Sequence, residues 1–181
     1  PVVFALDRAG PVGQDGPTHN GVFDIAYLRT LPNMVLAAPR DATDVDRVLS
    51  LALKHDGPLA MRFPRGKVPV HEEIAAQERE PMALGRAEVL REGEEGGVVL
   101  WAYGAMVSTA LEPAHALADR GVKVGVVDAR FATPIAEDPL PPHPSTLPHA
   151  LTPEAPQPPG GFRSPALDSA PRPRVARPPA P

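Results

Sequence analysis

With 181 residues, 43% of them hydrophobic, the chain has the size of one ordinary domain or two small ones and enough apolar content for a core. A formal net charge of -4 and a pI near 5.9, with no basic cluster ahead of the final fifteen residues, give no indication of a nucleic-acid groove and favour small-molecule chemistry. The absence of cysteine excludes disulfides and thiolate metal sites and points to a reducing compartment, the cytoplasm; no apolar run approaches the roughly 18 residues of a membrane span.

The chain opens at Pro1, without an initiator methionine and already at the edge of an apolar run over 2–6. That run predicts a strand buried on both faces of a parallel sheet, and such an opening reads as a truncation. A loop containing Gly10, Pro11, Gly13, Asp15, Gly16 and Pro17 then gives way to a helix over 23–29, closed before Pro32. A second buried strand is expected over 34–38. Asp41 follows as a helix N-cap, with Asp44 three residues on to serve the free backbone N–H groups and the helix dipole. Val45, Val48, Leu49, Ala52 and Leu53 recur as one apolar stripe, and Asp56-Gly57-Pro58 ends the helix. A third strand is predicted over 59–63, so this part is expected to be α/β, a parallel sheet with covering helices.

Residues 68–85 are polar, with Glu72, Glu73, Glu78 and Glu80 among few apolar anchors, and read as a linker. A second module over 86–134 begins with strands at 88–90 and 98–103 around a turn at 93–97. A helix at 107–118 capped by Gly121 and a strand at 122–127 complete a β-α-β unit. Pro113 falls inside that helix, where an interior proline costs about 3 kcal/mol, so the module's fold is expected to suffer there. Beyond it, 15 of the 26 prolines lie between Ile135 and Pro181, and no regular element is expected in that tail.

Asp7-Arg8-Ala9-Gly10, Asp15-Gly16-Pro17-Thr18-His19, Tyr27-Leu28-Arg29, Leu31-Pro32-Asn33-Met34 and Phe63-Pro64-Arg65-Gly66 occur in order and in register. In this the chain resembles the 1-deoxy-D-xylulose-5-phosphate synthases of the transketolase superfamily. The wider superfamily shares the D-G-P-T-H segment; the D-R-A-G segment selects the synthase branch. The resemblance is clear over 1–134 and fades beyond it to islands at Thr152, Glu154 and Gly160-Gly161-Phe162, as in a decayed or error-laden copy of the same domain.

The resemblance implies the carboxy-terminal half of a thiamine-diphosphate-fold pyrimidine domain (1–67), a linker (68–85), part of a transketolase C-terminal α/β domain (86–134) and an irregular Pro-rich tail (135–181). It implies condensation of pyruvate with D-glyceraldehyde 3-phosphate with loss of CO2, on thiamine diphosphate and Mg2+, in a homodimer. The cofactor supplies the hard step, and protein groups bind, orient and move protons. Arg8 and Arg65, just past the carboxyl ends of predicted strands, are the candidate phosphate clamp, since the guanidinium fork matches phosphate oxygens. His19, whose imidazole ordinarily titrates at about 6.5, is the candidate for proton exchange with a substrate oxygen. Asp15 is expected to orient substrate or to hold the imidazole tautomer.

Structural readings stand beside these: surface salt bridges for the two arginines, a turn former for Asp15, a helix-start or core position for His19. No His/Asp/Glu spacing resembles a metal site. The glutamate that activates the cofactor's aminopyrimidine in this superfamily, and the diphosphate–Mg2+ motif, match no segment of the sequence. The isolated chain is therefore expected to be inactive. The alternatives are a non-catalytic dimerisation module or a transketolase-like subunit, the latter disfavoured by the missing glutamate.

Overall fold

The computed structural model describes residues 1–67, 81–94, 97–135 and 149–151. The first half supplies β1 (Val2–Leu6), α1 (Asp24–Leu28), β2 (Val35–Ala37), α2 (Ala42–Ala52) and β3 (Pro58–Arg62). The second supplies β4 (Glu88–Arg91), β5 (Val98–Ala102), α3 (Met106–Ala118), β6 (Gly125–Asp128), β7 (Phe131–Thr133) and β8 (His149–Leu151). Two four-stranded sheets result, in the orders β1-β3-β2-β7 and β4-β6-β5-β8. The pairs β1/β3, β2/β3, β5/β6 and β5/β8 are parallel, as an α/β reading requires, while β2/β7 and β4/β6 are antiparallel.

The local signals act where they were read. The Asp41 side chain accepts a hydrogen bond from the backbone N–H of Asp44 at 2.9 Å and caps α2. Val48 and Ala52 turn inward against Val35, Leu59, Met61 and Phe131. The predicted stripe is wider than the contact, however. Leu49 and Leu53, one residue past each buried position and so rotated by about 100°, stay exposed at 39% and 87%.

At the end of α3 the Val122 N–H reaches the Leu117 carbonyl and the Gly121 N–H the Ala118 carbonyl. This pair of bonds needs the left-handed backbone that Gly121 adopts at φ 79°. The helix runs unbroken through Pro113. Pro113 and Thr109 both face solvent, so water can serve the carbonyl that proline deprives of its donor. The expected disruption of the module is not found, because the proline sits on the one face where it displaces no packing.

Two other expectations need correction. Among the described residues β1 stands at the edge of its sheet, and Val2, Val3 and Phe4 are 49%, 40% and 43% exposed, so the expected burial on both faces is not found in this chain. A continuous apolar run does not distinguish an edge strand from a central one. The tail was expected to hold no regular element, yet β8 pairs with β5. It occupies three residues between Pro148 and Pro153, where backbone donors survive.

The two halves are joined by more than sequence. β7 leaves β6 after two residues and pairs with β2, adding a strand from the second half to the first sheet. Ile25, Leu28, Met34 and Leu36 share one core with Trp101, Tyr103, Val127 and Ala132, and the Tyr103 hydroxyl donates to the Leu36 carbonyl at 3.3 Å. A separate cluster packs Val107, Ala110, Leu111 and Ala114 of α3 onto Ala102, Val124 and Val126.

Candidate functional site

Parallel β1 and β3 end side by side, and backbone bonds continue past both: the Phe63 N–H donates to the Leu6 carbonyl and the Ala9 N–H to the Phe63 carbonyl, each at 3.0 Å. This brings the segment after β1 and the segment after β3 to one end of the sheet, where α/β folds form ligand sites. The long loop between β1 and α1 is closed at its base by Gly21, whose N–H donates to the Arg8 carbonyl at 2.8 Å. A Cβ on residue 21 would stand 2.7 Å from that carbonyl oxygen, so only glycine permits the closure. Inside the loop, the Asn20 side chain accepts from the Val12 N–H and donates to the Gly16 carbonyl.

Arg8 adopts a left-handed backbone at φ 57°, uncommon outside glycine. Its Nε donates to Asp15 Oδ2 at 2.7 Å, and its Nη1 pairs with Asp7. Arg65 Nη1 pairs with the other oxygen of Asp15. Asp15 therefore sits between two guanidiniums, its side chain 14% exposed while those of Arg8 and Arg65 are 34% and 48% exposed. Three of the four expected site residues converge. Each arginine has more N–H donors than Asp15 can occupy, and the half-exposed edges remain open to an oxyanion.

The fourth stands apart. His19 is exposed, and its Nδ1 lies 2.9 Å from the Thr18 hydroxyl. The Asp15 carboxylate is engaged by the two arginines, one on each oxygen.

Sequence reasoning missed a set of buried charges behind this loop and at the junction of the halves. Arg62, at the end of β3, gives Nε to Asp24 Oδ2 at 2.7 Å and Nη2 to the Gly21 carbonyl at 3.2 Å, with its guanidinium carbon 5.8 Å from the Tyr103 ring centre. It thus supports the loop base from within. Glu88 of β4 and Asp128 of β6 are directly opposed across the sheet, and Arg40 Nη1 bridges them at 2.6 Å and 2.8 Å. Arg130 Nη2 also pairs with Glu88, and its backbone N–H donates to Asp128.

Burial pushes the Asp128 carboxyl up to about 6; Arg40 opposes the rise and Asp44 adds to it. Burial also works against ionised Glu88, but the Arg40 hydrogen bond and the charges of Arg40, Arg130 and Arg47 hold it below the ordinary carboxylate range. Burial disfavours the Arg40 cation as well, and Asp128, Glu88 and Asp44 outweigh it. An arginine at the end of an otherwise apolar strand, as in Leu59-Ala60-Met61-Arg62, was the available signal, since buried charges need partners.

Among the described residues no group of three or more His, Cys, Asp or Glu side chains is placed to hold a metal ion. The donor set at the loop is arginine-based, with N–H groups that suit an oxyanion. No helix among the described residues is long and apolar enough to cross a membrane.

Family comparison accounts for most of the chain. The transketolase pyrimidine-binding domain matches residues 1–71 and the transketolase C-terminal domain residues 85–171, the latter reaching well into the Pro-rich segment. A 1-deoxy-D-xylulose-5-phosphate synthase from Synechococcus elongatus is 46% identical over 172 residues, 93% of this chain and 26% of that protein. A protein named 1-deoxy-D-xylulose-5-phosphate synthase 2 from Geobacter sulfurreducens is 49% identical over 138 residues, 75% of this chain and 21% of that protein. The chain belongs to the 1-deoxy-D-xylulose-5-phosphate synthase family. That family is thiamine-diphosphate dependent, and the chain spans about a quarter of the length of the curated relatives it matches.

Among solved structures, a split-gene transketolase described as an inactive β4 tetramer matches at TM-score 0.75 and 29% identity, over 92% of this chain and 52% of that one. The transketolase of Campylobacter jejuni, at TM-score 0.64 and 24% identity over 83% of this chain and 23% of that one, agrees in fold.

Proposed function

We propose that this chain forms the aldehyde-phosphate side of a 1-deoxy-D-xylulose-5-phosphate synthase active site, and that the whole enzyme condenses pyruvate with D-glyceraldehyde 3-phosphate with loss of CO2. The observation that supports this most is the convergence of Arg8 and Arg65 on Asp15 at the carboxyl ends of two parallel strands. Thiamine diphosphate with Mg2+, held by parts of the enzyme that match no segment here, would supply the electron sink that the condensation needs.

Arg8 and Arg65 take the phosphate of the aldehyde through the N–H donors that Asp15 leaves free, and Asp15 keeps the two guanidiniums at a fixed spacing before substrate arrives. His19, exposed on the same loop, donates or accepts the proton at a substrate oxygen. Arg62 acts through the loop base and positions the clamp. The product serves isoprenoid, thiamine and pyridoxal precursor synthesis, in a cytoplasmic homodimer, and the chain alone does not turn over.

A second reading, a subunit completed by a separate partner chain, is favoured by the split-gene transketolase match. One experiment tests both. CO2 release from pyruvate, dependent on D-glyceraldehyde 3-phosphate, is measured for this chain alone and after mixing with the remaining portion of the Synechococcus elongatus synthase. Silence alone and activity on mixing support the proposal. Activity of the chain alone, or activity on mixing that survives without the aldehyde, refutes it.

A further inference from the structure

Tyr103, just past β5, is buried and comes from the second half of the chain, yet both its hydroxyl and its ring serve the first. Where β2 pairs with β7, Leu36 faces Thr133 and Ala37 faces Phe131, so Ala132 is the extra residue of a bulge. The Tyr103 hydroxyl fills that irregularity: it donates to the Leu36 carbonyl at 3.3 Å and accepts from the Ala132 backbone N–H. The ring is thereby pinned where the two halves meet.

The Arg62 guanidinium lies over this ring, its carbon 5.8 Å from the centre, within reach of a cation–π contact. Asp24 holds the same guanidinium with both carboxylate oxygens, at 2.7 and 3.3 Å, and all three side chains are buried. Arg62 Nη2 also donates to the Gly21 carbonyl at 3.2 Å. That carbonyl accepts from the Gly10 N–H at 2.9 Å, and the Gly21 N–H donates to the Arg8 carbonyl at 2.8 Å. Through Gly21 the buried cation thus bears on Arg8, whose left-handed backbone at φ 57° carries its side chain to Asp15. A planar guanidinium held by ring, carboxylate and carbonyl together has one orientation available; without the ring it can tilt and release the loop base.

We propose that Tyr103 is a positioning residue for the substrate loop: its ring fixes the Arg62–Asp24 pair, the pair fixes Gly21, and Gly21 fixes the Arg8 arm of the clamp. The second half of the chain thereby sets the geometry of a loop that lies wholly in the first. The kinetic consequence rests on the Arg8–Arg65 phosphate reading, whereas the effect on the loop backbone does not.

Amide hydrogen exchange on the full 181-residue chain reads the loop directly. Tyr103→Leu is expected to speed exchange at the Gly10 and Gly21 amides about tenfold or more beyond any change at the Val48 amide inside α2, the scale of a buried cation–π contact. Tyr103→Phe, which keeps the ring, should stay within about threefold of the parent by the same measure. Tyr103→Met, which fills the space without a ring, carries the test if Tyr103→Leu does not fold. Equal acceleration at all three amides, or Tyr103→Phe as damaging as the ringless variants, overturns the proposal. With the chain in place of the matching region of the Synechococcus elongatus synthase, Tyr103→Leu should also raise the KM for D-glyceraldehyde 3-phosphate about threefold or more, and Tyr103→Phe should not. A loosened loop with that KM unchanged supports the role of Tyr103 and counts against the phosphate reading of the clamp.

Discussion

Replacing Arg40 by methionine is predicted to be the most damaging single change at the junction of the two halves. Glu88 and Asp128 face each other across β4 and β6, and like charges so placed repel. Arg40, 4% exposed, holds both from one nitrogen, and Asp128 is fully buried. Methionine keeps much of the volume but leaves a buried carboxylate without its cation, a loss of about 3–5 kcal/mol. For a chain of this size about 2–4 °C accompanies each kcal/mol, so Tm should fall by about 6–20 °C. Arg40→Lys, which keeps the charge but not the fork, should lose less.

The double variant Arg40→Met/Asp128→Leu should recover a large part of the loss, because the buried charge is gone with its partner. Urea unfolding followed by far-ultraviolet circular dichroism measures all three. An Arg40→Met variant within about 1 kcal/mol of the parent would refute the reasoning, since that is the level of an exposed ion pair.

Two further outcomes follow from the same structure. Asp128 has a folded-state pKa of about 6 against an ordinary 3.8, so the folded form binds the extra proton between those values. Its contribution destabilises the fold at neutral pH, and that penalty fades as pH falls from about 7 towards 4, by up to about 3 kcal/mol. Glu88, shifted the other way, supplies stability that is lost only as pH drops through its lowered value. Subtracting the pH profile of Asp128→Asn from that of the parent isolates the first effect; parallel profiles between pH 4 and 7 would contradict it. Pro113→Ala, on the exposed face of α3, should raise stability by about 1–3 kcal/mol as the Thr109 carbonyl regains its donor. A loss of stability would show that the proline is packed rather than tolerated.

What the sequence made legible was local. The Asp41 cap, the Gly121 terminus and the loop between β1 and α1 each depend on residues a few positions apart, so their patterns are readable without the fold. The loop's meaning came from resemblance, and its arginines do meet, although Asp15 joins them to each other rather than to His19. The rest depends on distant pairing. Arg40 meets residues 48 and 88 positions away, and β7 crosses to β2. No periodicity announces such contacts.

Substrate-specific kinetics test the Arg8–Arg65 phosphate clamp most directly. In a chimera where this chain replaces the matching 172-residue region of the Synechococcus elongatus synthase, Arg8→Ala and Arg65→Ala should each raise the KM for D-glyceraldehyde 3-phosphate about tenfold or more, the scale of a lost charge-assisted hydrogen bond, while the KM for pyruvate stays within about twofold. Equal rises for both substrates, or none for the aldehyde, would contradict the assignment.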